Sequence, residues 1–371
     1  MPEKLDPWGT GLPEDYSRLM QEFGIRPLEE LLPRIPDPLH LMRRGVIFGH
    51  RDFERVLERM IGNGRYAVMT GLMPSGKMHL GHKMVVDQLV WYQRKGGEIF
   101  LCIADMEAFS ARGIPYEKGR EIAFEEYLLN CEALGLELER CRVYFQSRSQ
   151  EVQGLAYSLA RKVNFSEVRA IYGFSGETHL SHLYYPMIDV ADILHPQLEK
   201  FGGPRPTVVP VGVDQDPHLR LARDVAAKFS EEYGFLPPSS TYHRLMRDLF
   251  GGKMSSSRPD SALFLTDPPE VWERKIWDAL TGGRPTAREQ REKGGEPSKC
   301  LVYELCMYHF MPEDKELLEL KERCEKGEII CGECKEGMVE RAKDFLRELE
   351  ERRKEVRSKV ERLLHEIYPT F

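Results

Sequence analysis

Short apolar runs alternate with amphipathic stretches through the middle of the chain. Continuous apolar runs predict buried strands, and apolar positions spaced three or four residues apart predict helices. The predicted strands cover residues 66–70, 98–103, 143–145 and 207–211, and the predicted helices cover residues 81–94, 117–134 and 217–229. This alternation indicates an α/β fold, a doubly wound parallel sheet with right-handed crossovers.

The regions on either side follow other patterns. Residues 1–62 look like an N-terminal extension, with helices predicted at 14–23 and 52–61 around a proline-rich stretch at 27–38. Spacing alone indicates no chemistry in this extension. Residues 271–371 are predicted to form an all-helical domain, with an apolar stripe along 338–367. The chain therefore divides into an extension (1–62), an α/β domain (63–270) and a helical domain (271–371).

Composition narrows the class of protein. With 371 residues, 41% of them hydrophobic, the chain is long enough for more than one packed core. The net charge of −7 argues against a protein that grips nucleic acid over its whole surface, but it permits a local basic patch. No apolar stretch approaches the ~20 residues of a membrane span. Because no export signal precedes the eight cysteines, we expect free thiols in a cytoplasmic protein.

Two motifs indicate a nucleotide site. The first, Pro74-Ser-Gly-Lys-Met-His-Leu-Gly-His82, lies between a predicted strand and a predicted helix. A helix start presents free N–H groups to phosphate, and two histidines can donate hydrogen bonds as charge builds there. The second, Gly252-Lys-Met-Ser-Ser-Ser257, is a loop whose lysine and hydroxyls suit a polyphosphate. Either motif alone is weak, whereas the two in this order are specific.

Three acidic segments are candidates for binding a second substrate. Glu107 follows a strand together with Asp105, and the pair fits either an ammonium site or a helix start. Gly212-Val-Asp-Gln-Asp-Pro-His218 also follows a strand, where Asp216 fits a helix cap. Asp189 and Asp192 share one face of an apolar helix, where a carboxylate needs a donor such as an indole N–H or a phenol O–H.

The spacing of the cysteines does not match a metal-binding motif. Cys331-Gly-Glu-Cys334 has the C-x-x-C spacing, but no second such pair or histidine pair accompanies it. Cys324 lies seven residues upstream, and Cys300 and Cys306 lie further away. We therefore expect no metal ligands in the chain.

The two nucleotide motifs together resemble those of class I aminoacyl-tRNA synthetases. Further segments are similar to tryptophanyl-tRNA synthetases of archaeal and eukaryotic type: Asp6-Pro-Trp-Gly9, the stretch 41–52, Asp214-Gln-Asp-Pro217, Phe264-Leu-Thr-Asp267, the stretch 281–286 and Gly294-Gly295. The resemblance covers nearly the whole chain. It implies a Rossmann-type catalytic domain with a dimer-interface insertion at about 150–205, and a C-terminal domain that reads the anticodon.

The resemblance also implies substrates and partners. ATP with Mg²⁺ would activate L-tryptophan, and the aminoacyl group would pass to tRNA(Trp) on a homodimer. Catalytic roles fall to His79, His82 and Lys253. The implied ATP site comprises Pro74, Ser75, Gly76, His79, Gly81, His82, Lys253, Met254, Ser255 and Ser256. The implied amino-acid site comprises Met69, Gly71, Glu107, Asp189, Asp192 and Gln215.

The chain departs from the family pattern where the amino-acid side chain is recognised. Eukaryotic relatives use a tyrosine and a glutamine against the indole, and the matching positions here are Met69 and Asp189. Asp192 matches a carboxylate that accepts the indole N–H in bacterial tryptophanyl enzymes. We therefore predict that Asp192, helped by Asp189, accepts the indole N–H.

Three alternatives remain open at this point. A tyrosyl-tRNA synthetase shares the fold, both motifs and the carboxylate at Asp192. A small-molecule nucleotidyltransferase shares the His-x-Gly-His motif but needs no helical C-terminal domain. A synthetase-like RNA-binding protein without catalysis is disfavoured by the intact His79, His82 and Lys253. Arg352, Arg353 and Lys354 are candidates for contacting tRNA.

Overall fold

The computed structural model describes residues 5–9, 11–13 and 15–368, and within these ranges a seven-stranded sheet organises the chain. Its strands are β1 (Arg26–Pro27), β2 (Ile47–Arg51), β3 (Ala67–Leu72), β4 (Glu98–Ile103), β5 (Arg142–Phe145), β6 (Thr207–Gly212) and β7 (Ser239–His243). The order across the sheet is β1-β2-β7-β6-β3-β4-β5. Strands β3 to β7 pair in parallel, whereas β2 pairs antiparallel with both β1 and β7.

Helices surround this sheet and form the C-terminal region. They are α1 (Tyr16–Phe23), α2 (His40–Arg43), α3 (Glu54–Ile61), α4 (Leu80–Arg94), α5 (Asp105–Arg112), α6 (Tyr116–Ile122), α7 (Leu129–Ala133), α8 (Gln150–Ala160), α9 (Phe165–Tyr172), α10 (Leu180–Leu194), α11 (Asp216–Lys228), α12 (Ser230–Tyr233), α13 (Pro269–Asp278), α14 (Ala287–Lys293), α15 (Leu301–Leu305), α16 (Asp314–Glu325) and α17 (Cys331–Ile367). Wide π turns occupy Ala123–Leu128 and Cys306–Phe310. Short 3-10 turns cover Leu28–Glu30, Leu32–Arg34, Leu138–Arg140, Gln146–Arg148, His195–Gln197, Glu199–Phe201, Val213–Gln215 and Pro297–Lys299.

The predicted doubly wound α/β fold is confirmed. The four predicted strands correspond to β3, β4, β5 and β6, and the predicted helix at 117–134 is α6 and α7 joined through a π turn. The predicted helix at 14–23 begins at Tyr16, and residue 14 lies outside the described residues. The stripe at 338–367 belongs to α17, which starts seven residues earlier than the stripe indicates.

Both faces of the sheet are covered by apolar side chains. Along β3, Ala67 and Met69 pack into one core while Val68 and Leu72 pack into the other. This alternation follows from the pleat, which turns successive side chains to opposite faces. A parallel sheet buried on both faces reads as a continuous apolar run, which is why β3 and β4 were recognisable in the sequence.

The N-terminal extension contributes strands β1 and β2 to this sheet. Strand β2 pairs with β7 and so covers what would otherwise be an edge. Neither strand was predicted. The sequence of β7, Ser-Ser-Thr-Tyr-His, looks polar, yet all five residues are buried. Two of its hydroxyls have partners: Ser239 donates to the carbonyl of Asp52 at 2.7 Å, and Thr241 lies 3.3 Å from the Tyr92 hydroxyl.

The long helix α17 returns from the C-terminal region to the α/β domain. Arg353 donates to the Asn130 side chain at 2.7 Å and to the carbonyl of Glu125 at 3.0 Å. Arg353 therefore holds α17 against the α/β domain, and this contact argues against its role as a tRNA-binding side chain. In the part of the chain that the structure describes, no helix has the length and apolar character needed to cross a membrane.

Candidate active site

A cleft of about 520 Å³ opens at the carboxyl ends of the parallel strands. Its walls are the loops after β3, β4, β6 and β7. From β3 the chain continues to β4 on one side, and β6 flanks β3 on the other side. Such a reversal of strand order leaves a crevice between the loops, where ligands of open α/β sheets bind. The volume lies within the range of small-molecule sites.

His79 and His82 stand at the start of α4. The His79 ring nitrogen Nδ1 accepts from the Gly81 backbone N–H at 3.1 Å, and Nδ1 of His82 accepts from the His79 backbone N–H at 3.2 Å. Burial lowers the pKa of His79 well below its ordinary value, and it lowers the pKa of His82 to about 4; nearby Lys253 acts in the same direction on both. Both rings are therefore neutral. Because each Nδ1 accepts, each Nε2 carries the proton and can donate to a ligand.

The position of the His79 ring requires a glycine at residue 81, independently of any ligand. A Cβ at this position would lie 2.9 Å from His79 Cε1, which is too close for an ordinary contact. The glycine therefore allows the His79 ring to fold back over the helix start. Gly71, at the end of β3, borders open space, so a ligand can approach the backbone there.

The two predicted nucleotide loops meet across the cleft. The Ser256 hydroxyl donates to the Lys77 carbonyl at 3.1 Å, and the hydroxyls of Ser255 and Ser257 are hydrogen-bonded to each other at 2.9 Å. Ser75, Met254, Ser255 and Ser256 line the cleft, whereas Pro74 and Gly76 shape the loop without lining it. A Cβ on Gly76 would lie 3.5 Å from Ser256 Cβ.

Lys253 points into the cleft and already has two partners. Its ammonium donates to the Asp214 carboxylate at 2.7 Å and to the Gly9 carbonyl at 2.9 Å. Asp248 fixes the preceding turn, because its carboxylate accepts from the backbone N–H groups of Phe250 and Gly252 at 3.0 and 2.8 Å. The sequence motif contained Lys253, but nothing in its spacing indicated that Asp248 positions the loop.

The opposite half of the cleft is lined by Glu107, Asp189 and Asp192. Burial raises the pKa of Glu107 to about 7, that of Asp189 to about 7 and that of Asp192 to about 8. Asp189 Oδ2 lies 3.1 Å from Nδ1 of His218, whose pKa burial lowers to about 4. Burial disfavours the ionised form of all three acids, and a positive group bound beside one of them would favour its ionisation.

Asp192 is the deepest of the three acids, with 1% of its surface exposed. Its Oδ1 accepts from the Tyr144 hydroxyl at 2.8 Å, and its Oδ2 accepts from the Gln146 amide at 2.6 Å. A carboxylate offers about four lone-pair sites, so a further donor can still approach. Sequence reasoning missed Tyr144 and Gln146, since neither lies in a motif and both reach Asp192 from β5 and the turn that follows it.

Two acidic residues of the motifs serve the fold. Asp105 does not line the cleft; it accepts from the backbone N–H of Ser147 at 2.9 Å and also from its hydroxyl. Asp216 is the first residue of α11, and the cap position belongs to Gln215. The Asp216 carboxylate instead accepts from the Tyr242 hydroxyl at 2.6 Å and from Arg51 of β2. The expectation that Asp216 is a helix cap was therefore wrong.

An N-terminal strap, Pro7-Trp8-Gly9, lies in the same cleft, although no chemistry was expected in the extension. The Trp8 indole N–H donates to Glu107 Oε1 at 3.0 Å. The carbonyl of Pro7 accepts from the Gln215 amide at 3.3 Å, and Gly9 accepts from Lys253 as described above. The sequence gives no periodicity from which this placement could have been found, because the strap has no regular secondary structure.

Comparison with known proteins identifies this arrangement. The family model described as "tRNA synthetases class I (W and Y)" matches residues 62–347, well over half of the chain. The sheet, the two loops that meet across the cleft and this match define the class: the chain belongs to the class I aminoacyl-tRNA synthetases, a family of ligases.

Individual relatives narrow the class. The tryptophan–tRNA ligase of Methanocaldococcus jannaschii is 48% identical over 98% of this chain and 99% of its own length. The crystal structure of tryptophanyl-tRNA synthetase from Aeropyrum pernix superposes with a TM-score of 0.89 at 48% identity, covering 95% of this chain and 97% of that one. A tryptophanyl-tRNA synthetase from Encephalitozoon cuniculi bound to tryptophan gives a TM-score of 0.80 at 26% identity, covering 92% and 96%. The chain belongs to the tryptophanyl-tRNA synthetases, and these relatives favour neither the tyrosyl nor the non-enzymatic alternative.

Proposed function

We propose that the cleft activates L-tryptophan with ATP and then transfers the tryptophanyl group to the 3′ end of tRNA(Trp). The observation that carries this proposal is that two groups of side chains line one cleft. Neutral histidines interact with Lys253, and the buried acids Glu107 and Asp192 interact with Asp189. A polyphosphate suits the first group and an amino acid with a free ammonium suits the second.

In the nucleotide half, positioning and charge stabilisation carry the reaction. The tryptophan carboxylate attacks the α-phosphorus of ATP, and the bond to the bridging oxygen breaks as pyrophosphate leaves. The Nε2–H groups of His79 and His82 donate to phosphate oxygens, and Lys253 stabilises the charge that collects on the pyrophosphate. Asp214 is paired with Lys253, and Mg²⁺ arrives with the phosphates of ATP.

In the amino-acid half, Glu107 and Gln215 hold the ammonium group of tryptophan. Its binding favours the ionised form of Glu107, because an opposite charge lowers a carboxyl pKa. Met69, with 3% of its surface exposed, provides an adaptable apolar wall for a flat ring. Asp192 accepts the indole N–H through a lone pair that Tyr144 and Gln146 leave free.

The N-terminal strap and the substrates use the same groups. The Trp8 indole N–H donates a hydrogen bond to Glu107, and the Gly9 carbonyl accepts one from Lys253. Since Glu107 is assigned to the ammonium and Lys253 to the pyrophosphate, the strap and the substrates compete for the same two side chains. Substrate binding therefore weakens the hold of the strap on Glu107 and Lys253.

Pyrophosphate exchange into ATP, measured separately with each of the twenty amino acids, tests the activity. Exchange driven by tryptophan alone is expected. Exchange driven by tyrosine would contradict the specificity, and silence with all twenty, repeated with tRNA(Trp) present, would contradict catalysis. The indole contact is tested by Asp192→Ala, which should lower tryptophan activation on the order of 10²-fold or more. A loss of only a few-fold would refute the role of Asp192.

We also propose that the chain acts as a homodimer. Large apolar side chains are exposed in the segment predicted as the dimer interface: Tyr157 (79% exposed), Phe165 (49%) and Leu180 (83%). Exposed apolar patches mark interaction sites, and these three side chains all come from this one segment of the chain. Light scattering should give twice the chain mass of 43.0 kDa, and Tyr157→Glu together with Leu180→Glu should yield monomers. A monomeric wild-type protein at micromolar concentration would contradict this proposal.

A further inference from the structure

A short antiparallel backbone pairing joins the first nucleotide motif to the segment that follows the second, and we call it the motif pairing. The Leu265 N–H donates to the Met78 carbonyl at 2.9 Å, and the Leu80 N–H donates to the Leu263 carbonyl at 3.2 Å. His79 lies in the middle of this pairing. The motif pairing therefore sets where this histidine stands relative to the chain that leaves the lysine loop.

Glu126 lies at one end of the motif pairing. Its two side-chain oxygens accept from the Thr266 hydroxyl at 2.9 and 3.1 Å, and one of them also accepts from the Met78 backbone N–H at 3.4 Å. One carboxylate thus contacts both strands of the pairing. Glu126 is partly buried and does not line the cleft, so it acts through these two segments and touches no substrate itself.

The backbone around Glu126 is a π turn, Ala123–Leu128. Such turns are rare and recur at functional sites. The next residue, Tyr127, is fully buried, and its ring meets the His82 ring edge-on with the centroids 5.4 Å apart. Two consecutive residues of the turn therefore contact the first motif, one beside Met78 and the other at His82.

The C-terminal helix α17 holds this turn in place. The Glu126 carbonyl accepts from the Asn130 side-chain amide, and the Asn130 side-chain oxygen accepts from Arg353 of α17 at 2.7 Å. Arg353 also donates to the Glu125 carbonyl at 3.0 Å. The carboxylate that contacts both motif segments is therefore mounted on backbone that is itself fixed by hydrogen bonds.

We propose that Glu126 is a positioning residue that keeps His79 in place relative to the loop of Lys253 during the attack on ATP. This inference rests on the proposed reaction, in which His79 donates to phosphate oxygens while Lys253 stabilises the pyrophosphate. A displacement of about 1 Å between such groups can cost about 10²-fold in rate. Tryptophan binding does not pass through this contact, because Glu107 and Asp192 stand on α5 and α10.

Kinetics of pyrophosphate exchange test the proposal. Glu126→Ala should lower kcat by about tenfold to about 100-fold, while tryptophan affinity measured by calorimetry stays within a few-fold. The matched control is Glu125→Ala in the same turn, whose carboxylate accepts from Arg357 at 2.7 and 2.9 Å; its kcat should stay within a few-fold of the wild type. Equal kcat losses in the two variants, or an unchanged kcat in Glu126→Ala, would overturn the proposal.

Two further variants separate the contact from general damage to the turn. Glu126→Gln keeps an oxygen that can accept from the Thr266 hydroxyl, so its kcat should return to within a few-fold of the wild type. Thr266→Val removes the hydroxyl at nearly unchanged shape, and it tests the contact even where Glu126→Ala fails to fold. Because Glu126→Ala and Thr266→Val remove the same contact, the double variant should lose little more than the larger single loss. Fully additive losses would overturn the assignment.

Amide hydrogen exchange tests the positioning without relying on catalysis. In Glu126→Ala and in Thr266→Val, the amides of Leu80 and Leu265 should exchange about tenfold faster or more, whereas Glu125→Ala should leave them unchanged. Unchanged protection in both of the first two variants would overturn the proposal. A wild-type enzyme that is silent in pyrophosphate exchange would refute the proposed reaction instead, and the hydrogen-exchange comparison would still decide whether Glu126 holds the motif pairing.

Discussion

Substrate binding should depend on pH through Glu107. Burial raises the pKa of this carboxyl to about 7, so about half of the free enzyme carries it protonated near neutral pH. The tryptophan ammonium binds the ionised form. A carboxyl with a raised pKa ionises only as the pH rises past that value, so 1/KM for tryptophan should fall about tenfold for each pH unit below 7. Above about pH 8 it should level off.

Replacing the carboxyl removes both the charge and its titration. A hydrogen bond to a charged group is worth about 1.5–3 kcal/mol, so Glu107→Gln should raise KM for tryptophan between about tenfold and about 150-fold. The remaining dependence of KM on pH should be shallower than in the wild type. The matched control is Glu117→Gln, an exposed glutamate ten residues along the chain, which should leave KM unchanged.

The assay is pyrophosphate exchange at saturating ATP, with tryptophan varied between about pH 6 and about pH 8.5. Asp189 and Asp192 titrate in the same range, with pKa values of about 7 and about 8. In Glu107→Gln the inflection near pH 7 should be lost. Comparison with Asp189→Asn separates the contribution of Glu107 to the pH profile from that of Asp189. If Glu107→Gln kept the wild-type profile and KM, the ammonium would bind elsewhere and the reasoning would be refuted.

Three further changes probe other parts of the molecule. Lys253→Ala should lower kcat for exchange by about 10²–10³-fold, because Lys253 acts on the departing pyrophosphate. The affinity for tryptophan, measured by calorimetry, should stay within a few-fold of the wild type. Equal losses of kcat and of tryptophan affinity would contradict this role. Trp8→Ala should lower KM for tryptophan by up to about tenfold, since the variant frees Glu107 from a charge-assisted hydrogen bond, and a raised KM would show that Trp8 assists binding instead. Trp272→Ala, at a fully buried position, should reduce the free energy of unfolding in denaturant by about 3–5 kcal/mol with exchange activity retained in the folded fraction.

The sequence was most informative where local pattern and structure coincide. The runs that became β3, β4 and β6 are apolar because both faces of the sheet are covered, and the loops after them carry Glu107 and Gln215. Parallel strands end at the same edge, so position in the pattern was enough to place these side chains in one cleft. The two nucleotide motifs were recognisable because each keeps its chemistry within a few residues.

The features that were missed depend on contacts between distant segments. Strand β7 is buried through hydroxyl hydrogen bonds, and hydrophobic pattern is insensitive to such burial. Trp8 reaches Glu107 across 99 residues of sequence. No spacing rule connects such pairs. Only the fold brings them together, which is why the extension looked featureless.

The acidic half of the cleft also explains why the free enzyme keeps a tryptophan of its own in the site. Buried carboxyls with raised pKa values bind more protons in the folded chain than in the unfolded chain, so their ionisation costs stability as the pH rises through about 7. The Trp8 indole N–H supplies a donor to Glu107, which lessens that cost in the absence of substrate. A substrate with both an indole and an ammonium can replace the strap and also neutralise the charge. The same burial that destabilises the empty pocket thereby favours a cationic ligand over water and over the neutral N–H of the strap.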